Sequence, residues 1–170
     1  MENKIINKAK EYAIRKHMET NHEYDGKVYE THLQMVYDFA CKYTHLLPSD
    51  IIDDVLSAAW THDIIEDCRE TYNDVKNNLN ENIAEITYAL TNEKGKTRSE
   101  RANENYYHGL RMISGATYLK VCDRMANVQY SKSTNSSMFD RYKKENESFD
   151  LNLRIDHLNE MFDDLLLMFE

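Results

Sequence analysis

Proline and glycine are scarce in this chain of 170 residues, which has one proline and four glycines. Folds built from many short strands need both residues often, because turns depend on their backbone conformations. The abundant Leu, Ala, Glu, Lys and Met residues are good helix formers. The composition therefore predicts an all-α fold and excludes a turn-rich β architecture.

Cysteine is also rare, with Cys41, Cys68 and Cys122 widely spaced and no Cys-x-x-Cys pair. Small secreted domains held together by disulfides have more cysteines, usually an even number of them, and zinc fingers space them closely. We therefore expect a reduced, intracellular protein without a zinc-finger site.

Long apolar runs and a basic excess are both missing. No segment reaches the roughly 20 apolar residues of a membrane helix, and the first residues lack the apolar run of a secretory signal. Acidic residues outnumber basic ones by 30 to 21, a net charge of −9. Because nucleic-acid binding needs clustered Lys and Arg, we expect no nucleic-acid and no membrane partner, and a cytoplasmic location. A small anionic substrate and a homodimer both remain open.

Helical periodicity runs along the whole chain, without a repeat or a linker, and predicts one domain over residues 1–170. Residues 21–27 and 131–137 read as loops, and residues 91–101 as a polar basic loop. Helices are predicted over about 3–19, 83–90, 102–113, 116–130 and about 139–170. A further helix begins near residue 29, and another begins after the break at Pro48 and runs through residue 62.

The dipeptide His62-Asp63, followed by Glu66-Asp67, stands out in the string Thr-His-Asp-Ile-Ile-Glu-Asp-Cys. Residues four apart share a helix face, so His62 is expected beside Glu66 and Asp63 beside Asp67. His62 and Asp63 continue the apolar faces of the preceding helix. A buried histidine beside a buried carboxylate needs a partner, and a divalent cation satisfies both.

His32 and Asp123 are two further polar residues on apolar helix faces. Taken singly, a hydrogen-bonded core histidine and an ion-paired or capping aspartate are the commoner explanations. With His62 and Asp63 they supply two imidazoles and two carboxylates from separate helices, as metal sites in helical bundles do. Mixed nitrogen and oxygen ligands suit Mn, Fe, Co, Ni or Zn better than Ca.

The order His…His-Asp…Asp resembles that of the HD-domain metal-dependent phosphohydrolases, whose motif positions fall on His32, His62, Asp63 and Asp123. Three segments extend the resemblance to the SpoT/RelA-type ppGpp hydrolases and their small stand-alone relatives. Residues 29–32 are similar to Tyr-x-x-His, residues 62–67 match His-Asp-x-x-Glu-Asp, and residues 119–127 resemble Lys-Leu-Ala-Asp-Arg-x-x-Asn. The resemblance covers about residues 5–130, and the helices over about 139–170 follow this motif core.

The resemblance implies a single-domain helical HD bundle that holds one divalent ion, Mn²⁺, on the four motif residues. It implies removal of pyrophosphate from the 3′ position of ppGpp. Glu66 and Asp67 would orient or deprotonate a water and protonate the leaving oxygen, and Asn127 would hydrogen-bond the substrate or a ligand. From the residues alone, Glu66 and Asp67 could also be a solvated helix end, although acidic side chains there oppose the helix dipole.

The basic loop over residues 92–101 is the candidate phosphate site. Lys96, Arg98 and Arg101 are predicted to bind phosphate oxygens, with arginine able to do so through two hydrogen bonds. An ordinary solvated loop is the alternative. Residues 20–25 hold no basic pair of the kind that ppGpp hydrolases pack on guanine.

Three functions follow as expectations. The first is a metal-dependent phosphohydrolase acting on a small phosphorylated nucleotide, as a (p)ppGpp-type 3′-pyrophosphohydrolase. The second is an HD-type 5′-nucleotidase, since some of these share His-Asp-x-x-Glu. The third is a non-catalytic, nucleotide-binding regulatory module. Asp67 favours the first over the second, and the complete ligand set with Glu66-Asp67 disfavours the third.

Overall fold

The structure, a computed structural model, describes residues 3–170 and confirms the all-α prediction, with helices packed into one bundle. Within these residues, no helix has both the length and the apolar character needed to cross a membrane. The helices are α1 (Lys4–Glu19), α2 (Glu30–Lys42), α3 (Ile52–Thr61), α4 (Ile64–Asp67), α5 (Tyr72–Asn78), α6 (Glu81–Leu90), α7 (Arg98–Arg101), α8 (Glu104–Met112), α9 (Ala116–Ser133), α10 (Met138–Leu153) and α11 (Asn159–Leu167). Two 3₁₀ turns, Thr44–Leu46 and Asp156–Leu158, join neighbouring helices.

Helices α3 and α9 form the centre of the bundle. Helix α3 packs against α1, α2, α6 and α9, while α9 also contacts α2, α6, α8, α10 and α11. Every residue from Val55 to Thr61 of α3 is buried, and none of these residues is charged. Trp60, 2% exposed, is among the largest buried side chains. Because both central helices are enclosed on several sides, polar groups on them must find partners inside the protein.

Two short helices lie where the sequence predicted none. Helix α5 begins at a capping box in which Thr71 and Asp74 satisfy each other's backbone N–H groups. Helix α7 begins at the same arrangement of Thr97 and Glu100, so the predicted basic loop over 91–101 ends in one helical turn. Such boxes stabilise a helix start without any apolar periodicity, which is why periodicity alone misses them. The predicted loop over 131–137 is shorter, because α9 continues to Ser133.

The predicted loop before α2 contains a small antiparallel hairpin, β1 (Glu23–Tyr24) and β2 (Lys27–Val28). Its two turn residues, Asp25 and Gly26, both have positive φ values, 51° and 73°. This is the conformation of a tight hairpin turn, for which the pair Asp-Gly is well suited. The hairpin positions Tyr24 above α9, where its hydroxyl donates to Asn127.

The helix expected to run through His62 is interrupted there. Helix α3 ends at Thr61, and His62 and Asp63 form a turn before α4 begins at Ile64. Asp63 has φ −104° and ψ −6°, the loosened right-handed conformation of a helix end. The backbone N–H of Asp67 still donates to the carbonyl of Asp63 at 2.9 Å, so Asp63 and Asp67 remain one helical turn apart.

Gly115, which precedes α9, is required by its conformation and by its neighbours. Its φ is +85°, and a Cβ at this position would lie 2.5 Å from Val55 Cγ2 on α3. We expect Gly115→Ala to lower the free energy of unfolding by about 2–4 kcal/mol, from left-handed strain plus overpacking. Urea unfolding of the purified variant measures this change.

Gly109→Ala is the matched control, because Gly109 lies inside α8 and a Cβ there meets nothing within 4 Å. That substitution should stabilise the protein by up to about 1 kcal/mol, the difference in helix propensity. Equal effects of the two substitutions would contradict the packing of Gly115 against α3.

Candidate metal centre and adjoining cavity

The four residues predicted as metal ligands lie together, brought in by α2, the α3–α4 turn and α9. His32 Nε2 lies 3.3 Å from Asp123 Oδ1 and 3.6 Å from Asp63 Oδ2. His62 Nε2 lies 3.0 Å from Asp63 Oδ2 and 3.9 Å from Asp123 Oδ1. One ligand atom each from His32, His62 and Asp123 lies within 4.8 Å of the others, a group that could hold a metal ion. Asp63 flanks this trio.

The orientation of His62 leaves one ring nitrogen for a cation. His62 is 1% exposed, and its Nδ1 lies 2.9 Å from the carbonyl oxygen of Ala59. A carbonyl only accepts, so Nδ1 carries the proton and the lone pair of neutral His62 is on Nε2. Within residues 3–170, Nε2 has no hydrogen-bond partner, although Asp63 Oδ2 lies 3.0 Å away. Two acceptors at that distance repel unless a proton or a cation lies between them.

The electrostatics of the protein without metal lead to the same conclusion. Burial opposes a charged imidazole, but the Asp63 and Asp123 carboxylates outweigh it and raise the pKa of His62 to about 9. Burial likewise opposes charge on Asp63, yet His62 holds the pKa of that carboxyl below its usual range. Lys120 has the same effect on the pKa of Asp123. The cluster is therefore built to hold positive charge between its carboxylates.

Asp123 is fixed by neighbours on its own helix. Lys120 Nζ lies 2.8 Å from Oδ2, and the Asn127 amide donates to Oδ1 at 2.7 Å. The Tyr24 hydroxyl donates to Asn127 Oδ1 at 2.9 Å and so orients that amide. Asn127, predicted to bind the substrate or a ligand, thus contacts a candidate ligand and also lines the adjoining cavity.

Tyr29 links Asp63 to a pair of histidines that the sequence analysis did not select. Its hydroxyl donates to Asp63 Oδ2 and lies 3.5 Å from Asp67 Oδ2. Its ring stacks on His17 and on His22, with centroids 4.1 and 4.2 Å away. His17 lies on the buried face of α1, one turn after Ala13, and this spacing could have identified it from the sequence. Burial lowers the pKa of His17 to about 3 and also lowers that of His22, so both rings are neutral at pH 7.

Glu66 and Asp67, predicted as a catalytic pair, lie on different sides of α4. Glu66 is exposed, faces the cavity, and accepts hydrogen bonds from the backbone and side-chain amides of Asn92 at 3.2 and 3.0 Å. Asp67 is partly buried, with Oδ2 3.7 Å from His22 Nδ1. Burial, with the charges of Asp63 and Glu66, raises the pKa of Asp67 to about 7. A carboxyl that titrates near pH 7 is suited to proton transfer.

A cavity of about 360 Å³ adjoins the cluster at Asp123. Its acidic lining residues are Glu66, Asp123 and Glu145, and its basic ones are Arg98, Arg101, Lys120 and Arg124. Four cations against three carboxylates make it locally basic in a chain of net charge −9. A cavity of this size and charge is suited to a small phosphorylated molecule.

The structure brings two of the three predicted phosphate-binding residues to this cavity. Arg98 and Arg101 line it, whereas Lys96 is exposed and does not belong to the lining. The backbone N–H of Lys96 donates to the Glu100 side chain at 2.6 Å, just before α7 begins. Lys120 and Arg124 were not selected from the sequence, although they lie within one turn of Asp123 on α9.

Comparison with known proteins finds no protein-family model that matches this chain and no match among curated proteins.

Asp67 makes stability depend on pH. Between about pH 4, where an aspartate in the unfolded chain loses its proton, and about pH 7, the folded protein retains a proton that the unfolded chain has released. The free energy of unfolding therefore falls as the pH rises through this window and levels off above it. We expect Asp67→Asn to stabilise the metal-free protein at pH 8 by roughly 2–4 kcal/mol, and to change it little at pH 4.

Urea unfolding at the two pH values, in the presence of a chelator, measures the difference. Asp156→Asn is the control, because it removes the same charge at an exposed position. A stabilisation of Asp67→Asn that is equal at pH 4 and pH 8 would contradict the raised pKa.

Proposed function

We propose that the chain is a metal-dependent phosphohydrolase of a small phosphorylated nucleotide, and that it removes pyrophosphate from a (p)ppGpp-type substrate. The observation that carries this proposal is the buried Nε2 of His62, which faces the Asp63 carboxylate at 3.0 Å. Nitrogen and oxygen donors in this arrangement need a proton or a cation between them, and a basic cavity lies next to the place where a cation would be held. The motif resemblance supplies the substrate class.

The residues present fit a transition metal ion. His32, His62 and Asp123 would hold it, with Asp63 as a fourth ligand, and this mixed donor set suits Mn²⁺ among other divalent ions. Such an ion lowers the pKa of a water and polarises a phosphoryl group. The hydrogen bond of His62 Nδ1 to Ala59 fixes the ring and its tautomer, as second contacts of metal-binding histidines usually do.

The proton and phosphate chemistry falls to neighbouring residues. Asp67, whose burial favours the protonated form, can accept a proton from water and return it to a leaving oxygen. Glu66, held by Asn92 at the cavity edge, would act on the substrate side. Arg98, Arg101 and Lys120 would bind phosphate oxygens in the cavity. A cytoplasmic location belongs to the same proposal, in keeping with three cysteines that form no disulfide in the described chain.

The metal site can be tested by binding alone. We expect the protein to bind one Mn²⁺ per chain, and His62→Gln or Asp123→Asn to weaken Mn²⁺ binding at least about 100-fold, because each removes a ligand. Isothermal titration calorimetry measures this. His45→Gln removes an exposed histidine that pairs with Glu160 and should bind as the unchanged protein does. Tight Mn²⁺ binding by Asp123→Asn would contradict the assignment of Asp123 as a ligand.

Turnover is tested by phosphate and pyrophosphate release with Mn²⁺ present or chelated. The substrates are ppGpp, nucleoside mono-, di- and triphosphates, and NADPH. We expect Mn²⁺-dependent pyrophosphate release from ppGpp, and Glu66→Gln and Asp67→Asn to keep the metal while kcat falls about 10²–10⁴-fold. Glu147→Gln, at an exposed position of α10, is the control.

The other outcomes of this panel separate the alternatives. Phosphate release from monophosphates would identify a 5′-nucleotidase instead. Bound Mn²⁺ without turnover of any substrate would contradict the proposed activity and favour the non-catalytic regulatory module.

A further inference from the structure

Glu145 of α10 reaches into the basic cavity and lies between two arginines. Arg98 donates through Nε and Nη2 to the two carboxylate oxygens, both at 3.0 Å. Arg124 donates through Nη1 to Glu145 Oε2 at 3.1 Å. The two parallel bonds of Arg98 are the geometry by which arginine also binds a phosphate group. The carboxylate therefore occupies a position that would suit an anionic ligand.

The arginines are held in place by contacts that do not involve Glu145. The Arg124 guanidinium lies over the rings of Tyr142 and Phe149, 4.8 and 4.5 Å from their centroids, and Arg98 lies 5.8 Å from the centroid of Tyr142. The Arg124 side chain is 12% exposed, whereas those of Glu145 and Arg98 are 32% and 45% exposed. The ring contacts fix the Arg124 guanidinium. The Glu145 carboxylate can therefore turn out to solvent while Arg124 stays in place.

Arg101 is a third arginine in the lining of this cavity, and one of its donors is unused. Its Nε is buried and has no hydrogen-bond partner among residues 3–170. A buried N–H without an acceptor costs about 1–3 kcal/mol, so its persistence calls for an explanation. Glu145 takes bonds from Arg98 and Arg124 and leaves this donor unsatisfied. Because Arg101 also lines the cavity, an anion bound there meets three arginines.

We propose that Glu145 is a displaceable internal occupant of an anion site formed by Arg98, Arg101 and Arg124, and that a phosphate group takes its place. A carboxylate carries one negative charge, so it excludes weak monoanions yet yields to a phosphate with greater charge and three acceptor oxygens. Glu145 then acts as a specificity-determining residue. The proposal rests on the proposed function only in taking the displacing phosphate to belong to the substrate.

The test is isothermal titration calorimetry with inorganic pyrophosphate as the probe, in a chelator, so that neither metal nor turnover is involved. Glu145→Gln keeps the shape of the side chain and removes the competing charge. We expect it to tighten pyrophosphate binding by about five- to tenfold, in line with one or two lost ion pairs. Arg98→Gln added to Glu145→Gln should abolish this gain.

Glu147→Gln is the matched control, because it removes the same charge from an exposed position two residues along α10. It should leave pyrophosphate affinity within about twofold of the unchanged protein. Unchanged or weaker binding in Glu145→Gln would overturn the proposal and leave Glu145 as a structural link between helices. An equal gain in Glu147→Gln would overturn it as well, since net charge alone would then explain the effect.

A second variant covers the case in which Glu145→Gln does not fold, which circular dichroism would show. Glu145→Asp keeps the charge but withdraws it by one methylene, so the paired contact with Arg98 weakens and pyrophosphate affinity should rise about two- to threefold. A fall in affinity would count against displacement. Because the binding test uses no metal, its failure leaves the hydrolysis assay to stand on its own, and the reverse is also true.

Discussion

Two carboxylates, Asp63 and Asp123, and two imidazoles share one small volume where α2, the α3–α4 turn and α9 meet, and much of the surrounding structure serves to keep them there. Each charge alone would cost several kcal/mol to bury. Lys120, Asn127 and Tyr29 reduce that cost by donating to the carboxylates. His62 Nε2 and Asp63 still need a positive charge between them, a proton in the metal-free protein, and this is the basis for proposing a cation.

Helix α9 connects this cluster to the basic cavity, because one turn of it serves both. Asp123 directs Oδ1 toward the imidazoles, while Oδ2 accepts from Lys120 at the cavity wall. The next residue, Arg124, points away toward α10 and Glu145. A cation held at Oδ1 and an anion held by the cavity arginines would therefore lie on either side of the same carboxylate. The two sites we propose therefore share the Asp123 carboxylate.

The four clustered residues could be predicted from the sequence because each is a polar residue on a helix face that is otherwise apolar. These residues are His32, His62, Asp63 and Asp123. The same reasoning could not find Glu145, which sits on a face with ordinary charged neighbours and gains its meaning from Arg98, 47 positions earlier. Nor could it separate Lys96 from Arg98, because loop residues have no periodicity to orient them. Helix α5 was not predicted for a related reason, since its start depends on a local cap rather than on burial.

Glu66 and Asp67 are adjacent in the motif but lie in different environments, which the motif spacing alone does not predict. Adjacent residues on a helix point about 100° apart, so a pair that looks like one acidic unit in sequence faces two environments. Glu66 meets the cavity and Asn92, whereas Asp67 lies beside the Tyr29 hydroxyl and the His22 ring. Burial beside Asp63 then raises the pKa of Asp67 to about 7 in the metal-free protein. If the proposed hydrolysis holds, proton exchange therefore belongs to Asp67, and Glu66 acts from the side on which a phosphorylated substrate would bind.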